Sequence, residues 1–422
     1  MCYTPNTEVH SVRIALNTQI LIGAILGIGL GAEFIELGPE AEVTKHGLYL
    51  CGLVGTLFID MLKMVLAPLV FTSIVVGVSN LRLHQQMHNV WKVTLGFFTL
   101  SMSISIALGL GAANFFAPGK GLNLNLFANA QPGFAAKQLT FPEFVAEFLH
   151  GIFLNPFAAL VQGNVLAIVV FALLLGIAIV AGGDRYRNVI VFMQEGLELI
   201  LRIVSWIMRL SPYGIFALLA KLLATQSLSL LSSLVKFISV ILGTTLLHGF
   251  VILPLILFLF TGIRPWRFFK GAREALITAF ATSSSSATLP VTLRCVEQHL
   301  HVTPGIAGFV IPLGATMNMD GTALYEASAA LFVANLAGID LNIVQQLIVF
   351  FTTMIAAMGA PGIPSAGMVT MIMVLQSVGL PTEAIAILLP IDRILDTVRT
   401  MVNVEGDMIG SLVVNKWAEK NP

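Results

Sequence analysis

Asp392, Asp396, Arg399, Asn403 and Asp407 are spaced so that one helix carries all five on a single stripe. At ~100° per residue they fall at roughly 0°, 40°, −20°, 20° and 60°, a wedge of about 80°. The segment around them is apolar enough to cross a membrane. At mid-bilayer each ionised side chain costs ~2.5–3.5 kcal/mol, so the four charges ask for on the order of 10 kcal/mol of pairing, hydration or ligation. Carboxylates, a guanidinium and an amide sharing one stripe in that setting can hold a charged solute or ions, which reads as a transport site. Arg393, at ~100° on the edge of the stripe, suits a structural salt bridge as well as a solute contact. Asp392 alone equally suits an interhelical hydrogen bond. Glu405 falls opposite the stripe, near the end of the helix, and is expected on a solvated face.

The elements that must position the stripe belong to a polytopic membrane protein. Of 422 residues, 57% are hydrophobic and only 10% charged, with a mean hydropathy of +0.90. A soluble domain carries about 25% charged residues. Formal net charge is zero and the charges gather in short connections, which excludes a basic nucleic-acid-binding surface. Cys2, Cys51 and Cys295 have no metal or redox spacing and are expected as free thiols. Met1 to His10 is polar without a cleavable signal pattern, so the first apolar run is expected to be a retained helix.

Six runs suffice to span: Val12–Ala32, Gly47–Val78, Val93–Phe116, Phe153–Val180, Val189–Leu223 and Leu230–Phe260. Connections holding Arg82 and Lys92, Arg185 and Arg187, and Arg264, Arg267, Lys270 and Arg273 fall on one side, while the less basic Gly119–Glu147 connection falls on the other. The positive-inside rule then puts the N-terminus in the cytoplasm.

After Arg264 the texture changes. Ser283 to Pro290 (SSSSATLP) and Gly359 to Gly367 (GAPGIPSAG) are small-residue knots within apolar flanks. Non-helical backbone at membrane depth is tolerated only where protein or a watery cavity satisfies its N–H and C=O groups, so both knots read as tips of re-entrant helical hairpins. Between them an apolar segment breaks at Gly314 to Thr322 (GATMNMDGT). Hairpin, broken helix, hairpin, charged helix is the order expected of two inverted repeats meeting at a central site. Read alone, the serine run would also suit a flexible linker and the second knot a helix kink.

Ser283–Pro290, Asn318-Met319-Asp320-Gly321-Thr322, Gly359–Gly367 and Asp392–Asp407 stand in the order and spacing by which the whole chain resembles the glutamate transporter family, the dicarboxylate/amino acid:cation symporters, in a prokaryotic member. The resemblance implies an all-α protein of eight transmembrane helices plus two re-entrant hairpins, assembled as a homotrimer in the plasma (inner) membrane, both termini cytoplasmic, working by an elevator movement. By the same resemblance residues 1–80 are scaffold helices 1–2, and 81–150 are helix 3 with an extracellular loop of the transport domain. Residues 151–224 are scaffold helices 4–5, and 225–422 are the transport core of helix 6, hairpin 1, helix 7, hairpin 2 and helix 8.

The resemblance also assigns roles. Arg399 takes the side-chain carboxylate of an acidic amino acid, a task its planar fork suits, and Asp396 takes the amino group. Asn403 and the Ser284, Ser285 and Ser286 tip hold the α-carboxylate, Thr322 and Thr400 add hydroxyls, and the tip from Ile363 to Gly367 closes over the ligand. Members for neutral amino acids lack the arginine, and C4-dicarboxylate members lack Asp396 and replace Asp407 by Asn. Glutamate or aspartate is therefore the expected solute, with a proton-coupled C4-dicarboxylate as the alternative.

Coupling ions follow from charge as well as resemblance. Asp320, Glu326, Asp392, Asp396 and Asp407 outnumber Arg393 and Arg399 by three, a surplus that a low-dielectric site holds only with bound Na⁺ or H⁺. Resemblance maps one Na⁺ onto Gly314, Asn318, Asn403 and Asp407, and a second onto Thr316 and the backbone from Ala357 to Ala360. A third would lie between Asn318, Asp320 and helix 3. There Phe98 and Met102 stand where sodium-coupled relatives carry a tyrosine and a hydroxyl, leaving Ser101 as the matching oxygen. Glu326 stands at a proton-carrying position, and K⁺ countertransport stays open. No cofactor is expected.

Other residues have blander readings. His84, His88, His299 and His301 are expected to be solvated, Arg202 and Arg209 to touch scaffold or lipid headgroups, and Met368, Met371 and Met373 to pack the core. A channel would need a continuous polar pore, and an intramembrane enzyme would need a base beside Ser283–Ser286, which the apolar core does not offer.

Overall fold

The computed structural model describes residues 16–79, 88–122, 153–162, 165–225, 228–360, 362 and 364–420. Met1 to His10 with Cys2, Arg82, His84, most of the 119–147 connection, Ile363 and the side chain of His88 lie outside the described residues. Helix is the only regular structure among those residues, as expected where each backbone group must find its partner within its own segment.

The first elements are α1 (Leu16–Leu37), α2 (Glu42–Ser79) and α3 (His88–Phe116), followed by α4 (Pro156–Gln162) and α5 (Val165–Ala181). Four of the six expected spans are continuous and apolar enough to cross a bilayer: Thr18–Leu37, Glu42–Ser79, Val90–Phe116 and Leu230–Thr261. The expected span Val189–Leu223 is corrected. It is two helices, α6 (Arg187–Met208) and α7 (Ser211–Thr225), bent by 50°. Pro212 has no N–H to continue the ladder, and the Ser211 hydroxyl turns back to the Met208 carbonyl at 2.6 Å. The two halves then pack on different partners, α7 on α1 and α2, and α6 on α2.

Beyond Thr225 come α8 (Leu228–Leu247), a π-helical turn (His248–Ile252), α9 (Leu253–Thr261), α10 (Pro265–Thr282), α11 (Ser285–Arg294), α12 (Pro304–Met317), α13 (Asp320–Leu336), α14 (Ile343–Gly359), α15 (Ala366–Ser377) and α16 (Ile385–Lys420). The three expected irregularities are present and narrower than their sequence signatures. The serine knot leaves the helix only at Ser283, left-handed with φ 51, and at Ser284, extended with φ −144. Ser284 is then the N-cap of α11, accepting from the Ala287 amide at 3.1 Å. Capping lets helix resume inside the serine run itself. The second break is confined to Asn318 and Met319. The third separates α14 from α15 and ends at Ser365, left-handed with φ 59.

Around α16 gather α3, α7 to α13 and α15. Consequently α16 is buried over most of its circumference between Asp392 and Asn415. Helices α1, α2, α5, α6 and α7 pack mainly on one another, and α2 reaches α14 and α15. Met368, Met371 and Met373 are buried, as expected of core residues.

Candidate functional site

The breaks and the stripe converge. Arg399 is fully buried at 0% exposure. Its Nη2 donates to Asp392 Oδ1 at 2.6 Å and to Asp396 Oδ1 at 3.0 Å. Its guanidinium carbon stands 4.0 Å from the centre of the Tyr325 ring, a cation–π contact that favours the charge away from water. Tyr325 is itself held by a hydrogen bond from its hydroxyl to Met368 Sδ at 3.6 Å. Both hydrogen bonds come from Nη2 alone, and Nε and Nη1 have no protein partner. Asp392 is thus the main anchor of Arg399. Asp396 joins the stripe to the third break, since its Oδ2 accepts from the Ser365 amide at 2.8 Å and lies 3.6 Å from Arg393 Nη1.

Asn403 ties the second break to the stripe. Its Oδ1 accepts from the Gly321 amide at 2.8 Å, and its Nδ2 donates to Thr322 Oγ1 at 3.2 Å. A side chain at Gly367 would fall 2.9 Å from Thr322 Cγ2 and 3.7 Å from Arg399 Nη1, so the start of α15 lies directly over those two residues. Thr400 is buried next to Arg399 on α16. Ser284 and Ser286 meet the third break rather than the arginine: the Ser284 hydroxyl and the Ser286 amide both donate to the Gly362 carbonyl, at 2.7 and 3.0 Å. Ser285 is buried between them. Glu326 is fully buried and accepts the Thr370 hydroxyl on Oε1, while Oε2 has no partner.

The residues expected to hold cations fall into three places. Asp407 Oδ1 accepts from Asn318 Nδ2 at 3.2 Å, and Asn318 Oδ1 is buried without a partner, an orphaned oxygen of the kind a hard cation takes. Gly314 is required there, because a Cβ would lie 2.4 Å from Asp407 Oδ1. Thr316 lies apart, its hydroxyl turned to the Leu313 carbonyl at 3.0 Å, and the Ala357 carbonyl receives the Ala360 amide at 3.3 Å. Asp320 receives the Ser101 hydroxyl on Oδ2, and its backbone carbonyl receives the Ser105 hydroxyl at 2.6 Å. Phe98 and Met102 are fully buried on the same helix.

Sequence reasoning missed His248 and misread Glu405. His248 Nε2 is 3.0 Å from Asp320 Oδ2, with both side chains fully buried. The available signal was a lone imidazole within the apolar run Leu230–Phe260. Glu405 is corrected from a solvated to a buried residue, 1% exposed. The wheel argument gave α16 one buried face, whereas α8, α9 and the π-helical turn cover its back, and Gly249 brings that turn close to Glu405 Oε2.

The expectation that His299 and His301 are solvated agrees with their exposure. Arg202 and Arg209 are exposed as well. Cys51 and Cys295 are free and buried, and among the described residues no cluster of three His, Cys, Asp or Glu side chains could hold a metal ion. A cavity of about 230 Å³ lies between α2, α5, α6 and the tips, lined by Ser73, Leu201, Ser286, Thr316 and Gly362 among others. None of its lining residues is charged.

Comparison with known proteins accords with this geometry. The proton/sodium-glutamate symport protein of Geobacillus stearothermophilus is 33% identical over 408 residues, covering 96% of this chain and 95% of that protein. The proton/glutamate-aspartate symporter of Escherichia coli (strain K12) is 30% identical over 421 residues, covering 98% and 95%. Human excitatory amino acid transporter 3 is 43% identical over 258 residues, covering 61% of this chain and 49% of that protein. The sodium:dicarboxylate symporter family profile matches residues 16–417, a stretch that includes all three breaks and the whole stripe, and the chain belongs to that family.

Proposed function

We propose that the chain is a secondary active symporter of acidic amino acids, L-glutamate or L-aspartate, driven by a gradient of Na⁺, H⁺ or both. The observation that carries this reading is the half-used guanidinium of Arg399: two acidic side chains anchor Nη2, and Nε and Nη1 have no partner in a fully buried setting. A carboxylate accepts a charge-assisted hydrogen bond from either free nitrogen. Asp396, beside it, supplies the negative charge that an ammonium group needs and that a second carboxylate would be repelled by. That pairing favours an amino acid over a C4-dicarboxylate. Relatives named as glutamate symport proteins over nearly the full length support the same solute.

Asn403, Thr322 and Thr400 contact the α-carboxylate end, and the tips from Ser284 to Ser286 and from Ile363 to Gly367 close over the solute. Buried Glu405 raises the formal surplus of negative charge from three to four, and bound cations offset it. One Na⁺ is held by the Gly314 carbonyl, Asn318, Asn403 and Asp407, a second by Thr316 and the Ala357–Ala360 backbone, and Glu326 carries a proton.

In this reading the two broken helix pairs α10/α11 and α14/α15 are re-entrant, and with eight spanning helices they form inverted repeats. Helix 3 and residues from 225 onward move as a transport domain, elevator fashion, against scaffold helices 1–2 and 4–5 of a homotrimer in the inner membrane, termini in the cytoplasm. Competition decides between the two solutes: excess unlabelled succinate should leave labelled glutamate uptake intact, and strong inhibition by succinate would favour the C4-dicarboxylate carrier.

A further inference from the structure

The π-helical turn at His248–Ile252 opens with a buried imidazole that the transport reading does not use. His248 Nε2 lies 3.0 Å from Asp320 Oδ2, and the Ser101 hydroxyl donates to the same oxygen. With Asp320 ionised, Nε2 must be the donor, because a carboxylate only accepts. A π-helical turn shifts the register of the side chains that follow it and is frequent at functional positions. Here it sets His248 against Asp320, the first residue of α13. On α3, Phe98 and Met102 are fully buried and apolar and offer a cation no oxygen, and the Ser101 hydroxyl donates to the carboxylate. Glu405 approaches from α16 beside Gly249.

We propose that His248 is a cation-specificity residue: its imidazole N–H occupies the position on Asp320 that a coupling Na⁺ would otherwise take, so this place is filled by the chain itself. The proposal rests on the reading of the protein as a cation-coupled symporter. It needs only the donor geometry and the volume of the ring. Removing the ring takes one donor from Asp320 Oδ2, whose neighbour Oδ1 on the same carboxylate is buried without a partner, and oxygen atoms are what Na⁺ seeks.

The test uses purified full-length protein, unaltered and as His248→Ala, His248→Thr and His248→Gln. For each, the dissociation constant of L-aspartate is measured over a range of NaCl at constant ionic strength, and thermal stability is measured against NaCl without amino acid. His248→Ala opens the place, and His248→Thr opens it while supplying a hydroxyl. His248→Gln keeps an N–H donor at the position of Nε2. By linkage, the slope of log Kd against log Na⁺ concentration should steepen by about one in the Ala and Thr variants and keep the unaltered value in the Gln variant. Stabilisation by Na⁺ without amino acid should grow in the same two variants. Equal slopes in the unaltered, Ala and Thr proteins, or a Gln variant that behaves like Ala, would overturn the proposal. If one opening variant does not fold, the other decides. Absence of L-aspartate and L-glutamate binding in the unaltered protein defeats the symporter reading, and the Na⁺-dependent stability still decides the role of His248.

Discussion

The Ser284 hydroxyl donates to the Gly362 carbonyl at 2.7 Å, joining two helix breaks 78 residues apart in the chain. The same hydroxyl accepts the Ala287 amide as the cap of α11. One side chain therefore starts a helix and seals one break against the other. The cap persists however the breaks are arranged, whereas the bond to Gly362 exists only when they meet. Ser284→Ala should thus lose about 0.5–1.5 kcal/mol from the closed arrangement, weakening acidic amino acid binding roughly 2- to 10-fold. Calorimetric titration checks this, and an unchanged Kd would mean that the contact plays no part in retaining the solute.

Arg399→Cys should abolish uptake of glutamate and aspartate and admit neutral amino acids. Removing the guanidinium leaves Asp392 buried without its cation and Asp396 with Arg393 alone, a loss of about 3–5 kcal/mol when one partner of a buried pair is deleted, so thermal stability should fall as well. Arg399→Lys keeps the charge and loses the fork, and should retain more stability than uptake. Labelled uptake and thermal unfolding, measured side by side, separate the two effects; wild-type glutamate transport by Arg399→Cys would contradict the assignment.

Asn318→Ala removes both the donor to Asp407 and the orphaned Oδ1 atom. The Na⁺ concentration giving half-maximal uptake should rise by about tenfold, the equivalent of one lost contact to a charged group. Gly314→Ala, whose new methyl group would meet Asp407 Oδ1 at 2.4 Å, should act in the same direction. Unaltered Na⁺ dependence in both variants would move the cation elsewhere.

Glu326→Gln retains the size of the side chain and a polar partner for Thr370. Uptake followed across the pH range should lose much of its pH dependence in this variant, with solute binding preserved. An unaltered pH profile would remove Glu326 as the proton carrier.

The stripe was legible because five polar residues at helical spacing within apolar sequence have one economical arrangement, and Asp396 and Asn403 do bond to residues at the helix breaks, with Arg399 held by Asp396. The breaks were legible from runs of small residues, though only to within several positions: Ser284 caps α11 inside its own serine run, which composition alone does not reveal. The bend at Arg209 and Leu210 was hidden because both halves are apolar and together long enough for one span. Glu405 was misread since a wheel describes one helix, and burial of its back depends on α8, α9 and the turn at His248. His248 went unread because its partner, Asp320, lies 72 residues away and no local pattern links them.

Uptake of labelled glutamate and aspartate into proteoliposomes, with an imposed Na⁺ gradient in one set and an imposed pH gradient in another, tests the central claim most directly. Cation-coupled symport predicts accumulation above the external concentration under at least one gradient, collapsing when that gradient is dissipated and absent in Arg399→Cys. Equilibration without accumulation under both gradients, or accumulation that persists in Arg399→Cys, would contradict it.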